Sequence, residues 1–201
     1  RKMSAPYALV IKKGTFQSFA APKVEKKDFP LSREEAIQQV IESLGERDVL
    51  ISTTGMPSRE VYEYRSRRGE GHQRDFLTVG GMGHASQIAL GIALQKPGRP
   101  VYCLDGDGAL LMHMGALAIT GALKPSNFKH IIVNNGAHDS VGGQPTVAFD
   151  VDVPGIAHAC GYESVFCVQT KQELQSSLEE LQRSSGPSLL EVRVRCGARK
   201  D

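Results

Sequence analysis

The residue types best suited to chemistry lie in two polar clusters, each at the end of a short apolar run. Asp105-Gly106-Asp107-Gly108 follows the apolar residues 101–104, and Asn134-Asn135-Gly136 follows the apolar residues 130–133. Either cluster alone is more typical of an ordinary turn. The two together, at this spacing and both at predicted strand ends, favour a shared functional site.

The side chains in these clusters suit a divalent cation. Asp107 offers a carboxylate and Asn135 an amide oxygen, hard ligands that suit Mg²⁺ or Ca²⁺ better than zinc. Mg²⁺ bound by only one or two side chains usually fills its coordination sphere with waters and ligand phosphates. Gly106 and Gly108 allow the backbone to approach an anion closely, and the amides that open a helix at Ala109 can face phosphate oxygens. The pattern therefore predicts a cation that binds a phosphate-bearing ligand.

The elements around the clusters must bring them together. The mostly apolar residues 109–123 predict a helix, so strand, helix and strand form a parallel βαβ unit whose strand ends lie side by side. Ligands of open α/β sheets bind at that edge. Further strands are predicted at residues 49–52, 162–168 and 189–194. The alternation predicts an α/β fold, a doubly wound parallel sheet with helices on both faces.

Helix starts are marked by capping residues. Ser32 with Glu35 and Thr170 with Glu173 match the capping box. After the strand at residues 49–52, the hydroxyls, glycine and arginine of residues 53–60 suit anion binding at a helix start, and they equally suit an ordinary N-cap with Ser58 as the capping residue.

The spacing of Gly106-Asp107-Gly108 and Asn134-Asn135 resembles the signature of thiamine-diphosphate enzymes. The resemblance covers roughly residues 31–196 and implies the thiamine diphosphate-binding fold. It also implies that Asp107, the Asn135 side chain and the main-chain oxygen of Ala137 hold Mg²⁺, which binds the cofactor diphosphate. Within the family, the stretches NNGAHDSVGGQPT and VGGMGHASQIALGIAL resemble phosphonopyruvate decarboxylases, and next sulfopyruvate decarboxylases. The activity implied is decarboxylation of a 2-oxo acid, with acetolactate synthase-like chemistry or a non-catalytic cofactor-binding domain as alternatives.

The resemblance also implies residues that contact the cofactor. Thr54 and Gly55 are expected to line it, together with Gly106, Gly108 and Ala109. By position, the Gly80 carbonyl would accept a hydrogen bond from the pyrimidine amino group, and Met82 would wedge between the two rings. A core methionine is the alternative for Met82.

A dinucleotide fingerprint at Gly81-x-Gly83 is disfavoured, because its third glycine is missing.

Four cationic or titratable side chains are candidates for the substrate anions: Arg59, His84, His113 and His138. His84 and His138 are the weak candidates for a catalytic role. His84 has helix capping as its alternative, and His113 is more typical of buried structure because it lies inside the predicted helix. The loop at residues 136–145 also holds Asp139, Ser140 and Gln144, and would supply a flexible lid or substrate contacts.

The family resemblance implies a missing part. Its members take a glutamate that protonates the pyrimidine ring from a separate pyrimidine-binding domain, and no glutamate here is placed like that residue. A partner domain or subunit, in cis or in trans, and a homo- or hetero-oligomer are therefore expected.

The domain organisation is predicted from composition. Residues 1–30 are expected to hold the last strand of a preceding domain, at residues 7–11, and an exposed linker at residues 20–30. The alternative is an arm that packs on the main domain, residues 31–201. Within that domain, residues 63–75 are polar and basic and predict a mobile surface loop.

Bulk properties exclude several classes of protein. The net charge of +2 is too balanced to indicate a nucleic-acid or membrane-surface partner. No apolar run is long enough to span a membrane. The four cysteines lack zinc-site spacing, so a reduced, cytoplasmic protein without disulfides is expected.

Overall fold

A six-stranded, all-parallel sheet organises the chain, with strand order β2-β1-β3-β4-β8-β7. The coordinates are a computed structural model, which describes residues 6–17 and 27–197. A two-residue antiparallel ribbon, β5 and β6, follows β4. The strands of the described residues are β1 (Val49–Ser52), β2 (Asp75–Leu77), β3 (Val101–Gly106), β4 (Phe128–Asn134), β5 (Ala137–His138), β6 (Gln144–Pro145), β7 (Ser164–Val168) and β8 (Ser188–Arg193).

Helices cover both faces of the sheet, which confirms the predicted doubly wound α/β fold. Their bounds are α1 (Arg33–Ser43), α2 (Met56–Arg67), α3 (Ala85–Gln95), α4 (Asp107–Met112), α5 (Ala116–Leu123), α6 (Val153–Cys160) and α7 (Lys171–Arg183). One hydrophobic cluster joins α1, α2 and α7 to the sheet, and a second joins α3, α5 and α6 to the other face. Because both faces are covered, β4 is buried along its whole length.

The chain leaves β1 outwards to β2 and then returns to the opposite side of β1 to form β3. The strand order therefore reverses between β1 and β3, and such a reversal leaves a crevice at the carboxyl ends of the two strands.

Both predicted capping boxes are present. The Ser32 hydroxyl accepts the Glu35 amide at the start of α1, and Thr170 accepts the Glu173 amide at the start of α7. The strand at residues 49–52 also has the predicted bounds.

The predicted length of one helix and the predicted start of another are wrong. The helix predicted at residues 109–123 is two helices, α4 and α5, interrupted at residues 113–115. The N-cap of α2 is Gly55 rather than Ser58, which lies inside the helix and donates its hydroxyl to the Thr53 carbonyl at 2.6 Å. Gly55 has a φ of +98°, a conformation that favours glycine, and proline in the first turn sets the helix start.

The prediction of a mobile surface loop at residues 63–75 is also wrong. The helix α2 continues to Arg67, and the buried Arg65 guanidinium pairs with Asp75 at 2.8 Å and with Glu70 at 2.7 Å. These ion pairs fix the connection between α2 and β2.

The amino-terminal segment forms no strand within the described residues. Tyr7, Leu9 and Val10 are all more than two-thirds exposed, and the alternative of an arm that packs on the main domain stays a prediction. Pairing with a preceding domain stays a prediction, and the predicted linker lies largely outside the described residues.

None of the cysteines among the described residues forms a disulfide. Over the same residues, no helix combines the length and apolar character needed to cross a membrane.

Candidate functional site

A cavity of about 280 Å³ lies where the strand order reverses. Its walls come from the segments that follow β1, β3 and β4, because parallel strands deliver their carboxyl ends to one edge. Asp107 and Asn135 both line it, although 28 positions separate them in the sequence. The predicted convergence of the two polar clusters is therefore present.

Asp107 is a buried carboxylate, 4% exposed. Its Oδ2 accepts a hydrogen bond from the Thr146 hydroxyl. Burial raises the pKa of Asp107, while the Thr146 hydroxyl, backbone amides and the neighbouring His138 oppose that rise. None of the ion pairs found among the described residues includes this carboxylate. A cation would supply the charge compensation that the protein itself does not.

Asn135 is held at both ends of its amide. Nδ2 donates to Asp139 Oδ2 at 2.7 Å, and Oδ1 accepts the Ala137 amide at 3.1 Å. An amide oxygen has two lone pairs, so Oδ1 keeps one for a cation. Ala137 lines the same cavity. A buried, unpaired carboxylate beside an amide oxygen is a donor set that fits Mg²⁺ or Ca²⁺.

Gly106 and Gly108, at the end of β3, have different surroundings. A Cβ on Gly108 would lie 2.5 Å from Cε1 of His138 and 3.1 Å from Cε of Met82, so a larger residue there would force these two side chains to shift. Gly106 has no such neighbour. Ala109 lines the cavity from within α4, which begins at Asp107, two residues before the predicted start.

The cavity wall that follows β1 includes Thr54 and Gly55, both of which were predicted to contact the cofactor. The Thr54 hydroxyl oxygen accepts the Gly80 amide at 3.0 Å, which links this wall to the following loop. The Met56 amide, at the start of α2, donates to the Ser140 hydroxyl oxygen at 3.1 Å. The loop after β5 therefore contacts the start of α2, for which the sequence left anion binding and ordinary capping as alternatives.

Of the two residues expected to contact the cofactor rings, only Met82 lines the cavity, where it is half-buried. Gly80 is exposed and adjoins the wall through Thr54.

His84 and His113 do not line the cavity. Their rings lie against each other with centroids 4.5 Å apart, and both residues are exposed. The interpretation of His113 as buried structure is therefore wrong, because the helix breaks at that residue. His84 is the N-cap residue of α3, as its alternative predicted, but its side chain makes no capping hydrogen bond. Its Nδ1 lies 3.0 Å from the Gly81 carbonyl and 3.2 Å from the Met82 carbonyl.

The other two substrate candidates do line the cavity. Arg59 is exposed at its rim, and His138 lies over the backbone of Gly108. The contacts of Arg33 and Thr146 at the site were not predicted from the sequence. Thr146 stands at the end of the quoted NNGAHDSVGGQPT stretch, so its proximity to the cluster was a usable signal; Arg33 gave none.

The fold and the site together define an α/β domain built to hold a divalent cation and a phosphate-bearing ligand at a strand-order reversal. A model of the family "Thiamine pyrophosphate enzyme, C-terminal TPP binding domain" matches residues 53–192. The chain belongs to this family, and the expectation of thiamine diphosphate (thiamine pyrophosphate) as cofactor is confirmed.

Named relatives agree with the family. The chain is 39% identical over 163 residues to phosphonopyruvate decarboxylase from Streptomyces viridochromogenes, covering 81% of this chain and 40% of that protein. It is 32% identical to sulfopyruvate decarboxylase subunit beta from Methanocaldococcus jannaschii, covering 81% of this chain and 80% of that subunit. The chain thus spans about two fifths of the phosphonopyruvate decarboxylase and most of the sulfopyruvate decarboxylase subunit.

A solved structure has the same fold. The benzoylformate decarboxylase of Polynucleobacter necessarius superposes with a TM-score of 0.73 at 19% identity, covering 90% of this chain and 36% of that one.

Proposed function

We propose that this chain is the diphosphate-binding part of a thiamine-diphosphate-dependent decarboxylase that converts phosphonopyruvate to phosphonoacetaldehyde and carbon dioxide. The observation that carries the proposal is the convergence of Asp107 and Asn135 on one cavity, in a chain 39% identical to a phosphonopyruvate decarboxylase. In the net reaction the bond between the carboxylate carbon and the keto carbon breaks, carbon dioxide leaves, and a proton takes its place.

Asp107, the Asn135 amide oxygen and the Ala137 main-chain oxygen would hold Mg²⁺. The cation would neutralise both the buried carboxylate and the cofactor diphosphate. Thr54, Gly55 and the backbone from Gly106 to Ala109 would surround the diphosphate, because they form the cavity walls.

Met82 would support the cofactor rings from within the cavity, and Gly80 would offer its carbonyl from the adjoining loop. When bound, thiamine diphosphate supplies the electron sink that decarboxylation needs. The part played by the protein is to orient the reacting groups and to exclude water.

The substrate carries a carboxylate and a phosphonate and needs cationic or hydrogen-bonding partners. Arg59 and His138 are the best placed, because both line the cavity. His84 and His113 stand outside it and are weaker candidates.

A second domain would complete the site. The cavity of about 280 Å³ lies near the lower end of the ~300–1,000 Å³ typical of small-molecule sites. The partner would supply the pyrimidine-binding surface and its glutamate, in cis or in trans. The match to a sulfopyruvate decarboxylase subunit beta covers 80% of that subunit, which favours a partner in the form of a separate subunit. The same match makes sulfopyruvate the second candidate substrate.

The test combines the chain with a pyrimidine-binding domain of the family and supplies thiamine diphosphate and Mg²⁺. Phosphonopyruvate, sulfopyruvate and pyruvate are offered separately, and carbon dioxide and the organic product are measured. We expect phosphonoacetaldehyde from phosphonopyruvate, and no release by an Asp107→Ala variant.

Preferred release from sulfopyruvate would replace the proposed substrate, and an acetolactate product would indicate carboligation. Cofactor binding without turnover of any 2-oxo acid would indicate a non-catalytic domain. Full activity of the chain without a partner would refute the two-part arrangement.

A further inference from the structure

We infer that Asp139 is a positioning residue that fixes the orientation of the Asn135 amide and so presents its oxygen to the cation. This inference rests on the proposed function, because it assigns a role in the metal site that Asp107 and Asn135 would form. Asp139 is held in turn by a buried arginine, Arg33, which Glu60 also binds.

The Asn135 amide has only one orientation that satisfies its neighbours. In the observed orientation Nδ2 donates to the Asp139 carboxylate at 2.7 Å and Oδ1 accepts the Ala137 amide at 3.1 Å. Turning the amide over would place an oxygen against a carboxylate and an NH₂ group against an N–H donor. It would also aim hydrogen atoms rather than a lone pair at a cation. Asp139 therefore decides whether Asn135 can act as a ligand.

Asp139 itself is already bound by several donors of the protein. Its Oδ2 accepts Arg33 Nη1 at 3.0 Å, Asn135 Nδ2 at 2.7 Å and the Gly197 amide at 3.0 Å. Its Oδ1 accepts the Cys196 thiol at 3.3 Å. Three donors therefore share Oδ2 and a thiol binds Oδ1, so most of the acceptor capacity of this carboxylate is used by the protein itself. The residue lines the cavity, but its contacts are those of an orienting group.

The arginine that holds Asp139 is itself fixed. Arg33 is 6% exposed, and its guanidinium binds Glu60 through Nε at 3.0 Å and through Nη2 at 2.8 Å. Because Arg33 begins α1 and Glu60 lies in α2, both helices support the position of the Asp139 carboxylate. Groups behind a metal ligand typically change metal affinity 10–100-fold when they are removed.

The alternative is a purely structural role, in which Asp139 only fastens the loop after β5 to α1. The two roles differ in the coupling between Asp139 and Asn135. If Asp139 has a structural role, the loss of Mg²⁺ affinity on its substitution should add to the loss caused by an Asn135 variant. If it positions the Asn135 amide, its substitution should cause no further loss once that amide has been removed.

The experiment measures Mg²⁺ affinity by titration calorimetry on the full chain with its partner and saturating thiamine diphosphate. We expect Asp139→Asn to weaken Mg²⁺ binding by about 10–100-fold, with cofactor binding restored at high Mg²⁺. In an Asn135→Ala background the same substitution should cause no further loss. Asp152→Asn is the matched control: it changes an aspartate that caps α6 outside the cavity, and Mg²⁺ affinity should be unchanged.

A swapped pair provides the independent check. Asn135→Asp alone would place two carboxylates together and weaken Mg²⁺ binding. Combined with Asp139→Asn, it restores one donor and one acceptor and keeps the total charge. The double variant should recover affinity relative to either single variant, and it remains informative even where Asp139→Asn alone does not fold.

Three outcomes would count against the inference. A change of less than twofold in Asp139→Asn, an additive loss in the Asn135→Ala background, or no recovery in the swapped pair would each overturn it. Failure of the wild-type protein to bind thiamine diphosphate with Mg²⁺ would instead overturn the proposed function, so the two failures are distinguishable.

Discussion

We expect the buried Asp107 carboxylate to lower the free energy of unfolding of the domain when no cation is bound. The pKa of its carboxyl is raised, chiefly by burial, which means that the fold holds the ionised form less well than water does. We therefore predict that Asp107→Asn, which keeps the shape and removes the charge, stabilises the metal-free domain.

The size of the effect follows from two opposing contributions. Moving a carboxylate out of water costs several kcal/mol, and each hydrogen bond to a charged group returns about 1.5–3 kcal/mol. Asp107 accepts hydrogen bonds from Thr146 and from backbone amides, yet the direction of the pKa shift means that burial prevails. We expect a net gain in the free energy of unfolding of about 1 kcal/mol for the variant, or roughly 2–4 °C in melting temperature.

The assay is thermal and urea denaturation with a chelator present, from pH 4 to pH 8. Folded Asp107 keeps its proton to a higher pH than the unfolded chain, whose aspartate has its ordinary pKa of 3.8. Wild-type stability therefore falls as the pH rises through that value towards the folded pKa, and the penalty is complete above the folded pKa. The advantage of the variant should be largest near pH 8 and shrink towards pH 4.

Adding Mg²⁺ and thiamine diphosphate should reverse the order of stability. A ligand at 100 times its Kd stabilises the native state by about 2.7 kcal/mol, and only the wild type retains the charged ligand. Equal or lower stability of the metal-free variant above pH 6, or an advantage that does not depend on pH, would refute the reasoning.

Three further substitutions test other contacts. Thr146→Val removes the hydroxyl that donates to Asp107 and should weaken Mg²⁺ binding by about 10-fold in calorimetry, with unchanged affinity contradicting an orienting role. Glu60→Gln leaves Arg33 with Asp139 as its remaining anion and should lower the free energy of unfolding by roughly 1–3 kcal/mol in urea denaturation; a change within measurement error would contradict the assigned importance of this buried pair. Gly121→Ala places a Cβ 1.8 Å from a carbonyl oxygen of α6 and should destabilise the domain by at least ~2 kcal/mol, whereas a neutral result in thermal denaturation would mean that α5 and α6 separate easily.

The elements that depend on local chemistry were predictable from the sequence. Capping boxes involve residues three positions apart, so Ser32 with Glu35 and Thr170 with Glu173 fixed two helix starts. Elements fixed by distant partners were not. The polar composition of residues 63–75 indicates a loop, but Arg65 is buried because it pairs with Asp75 on the next strand. That partner cannot be identified from composition.

The same distinction applies to the site. Asp107 and Asn135 follow the ends of adjacent parallel strands, and topology alone brings such positions together. The exclusion of His84 and His113 from the cavity depends on how the loop after β2 folds back, and on the break between α4 and α5. Neither follows from spacing.

The groups that orient the two expected metal ligands come from one short ribbon. Asp139 binds the Asn135 amide and directly follows β5, while Thr146 binds the Asp107 carboxylate and directly follows β6. The Thr146 amide also donates to the Gly136 carbonyl at 2.8 Å, which closes the ribbon beside the site. Because one ribbon positions ligands from two different strands, a change in its backbone should alter both ligands together. The sequence signature contains the ligands, while the geometry that makes them usable depends on the residues that follow it.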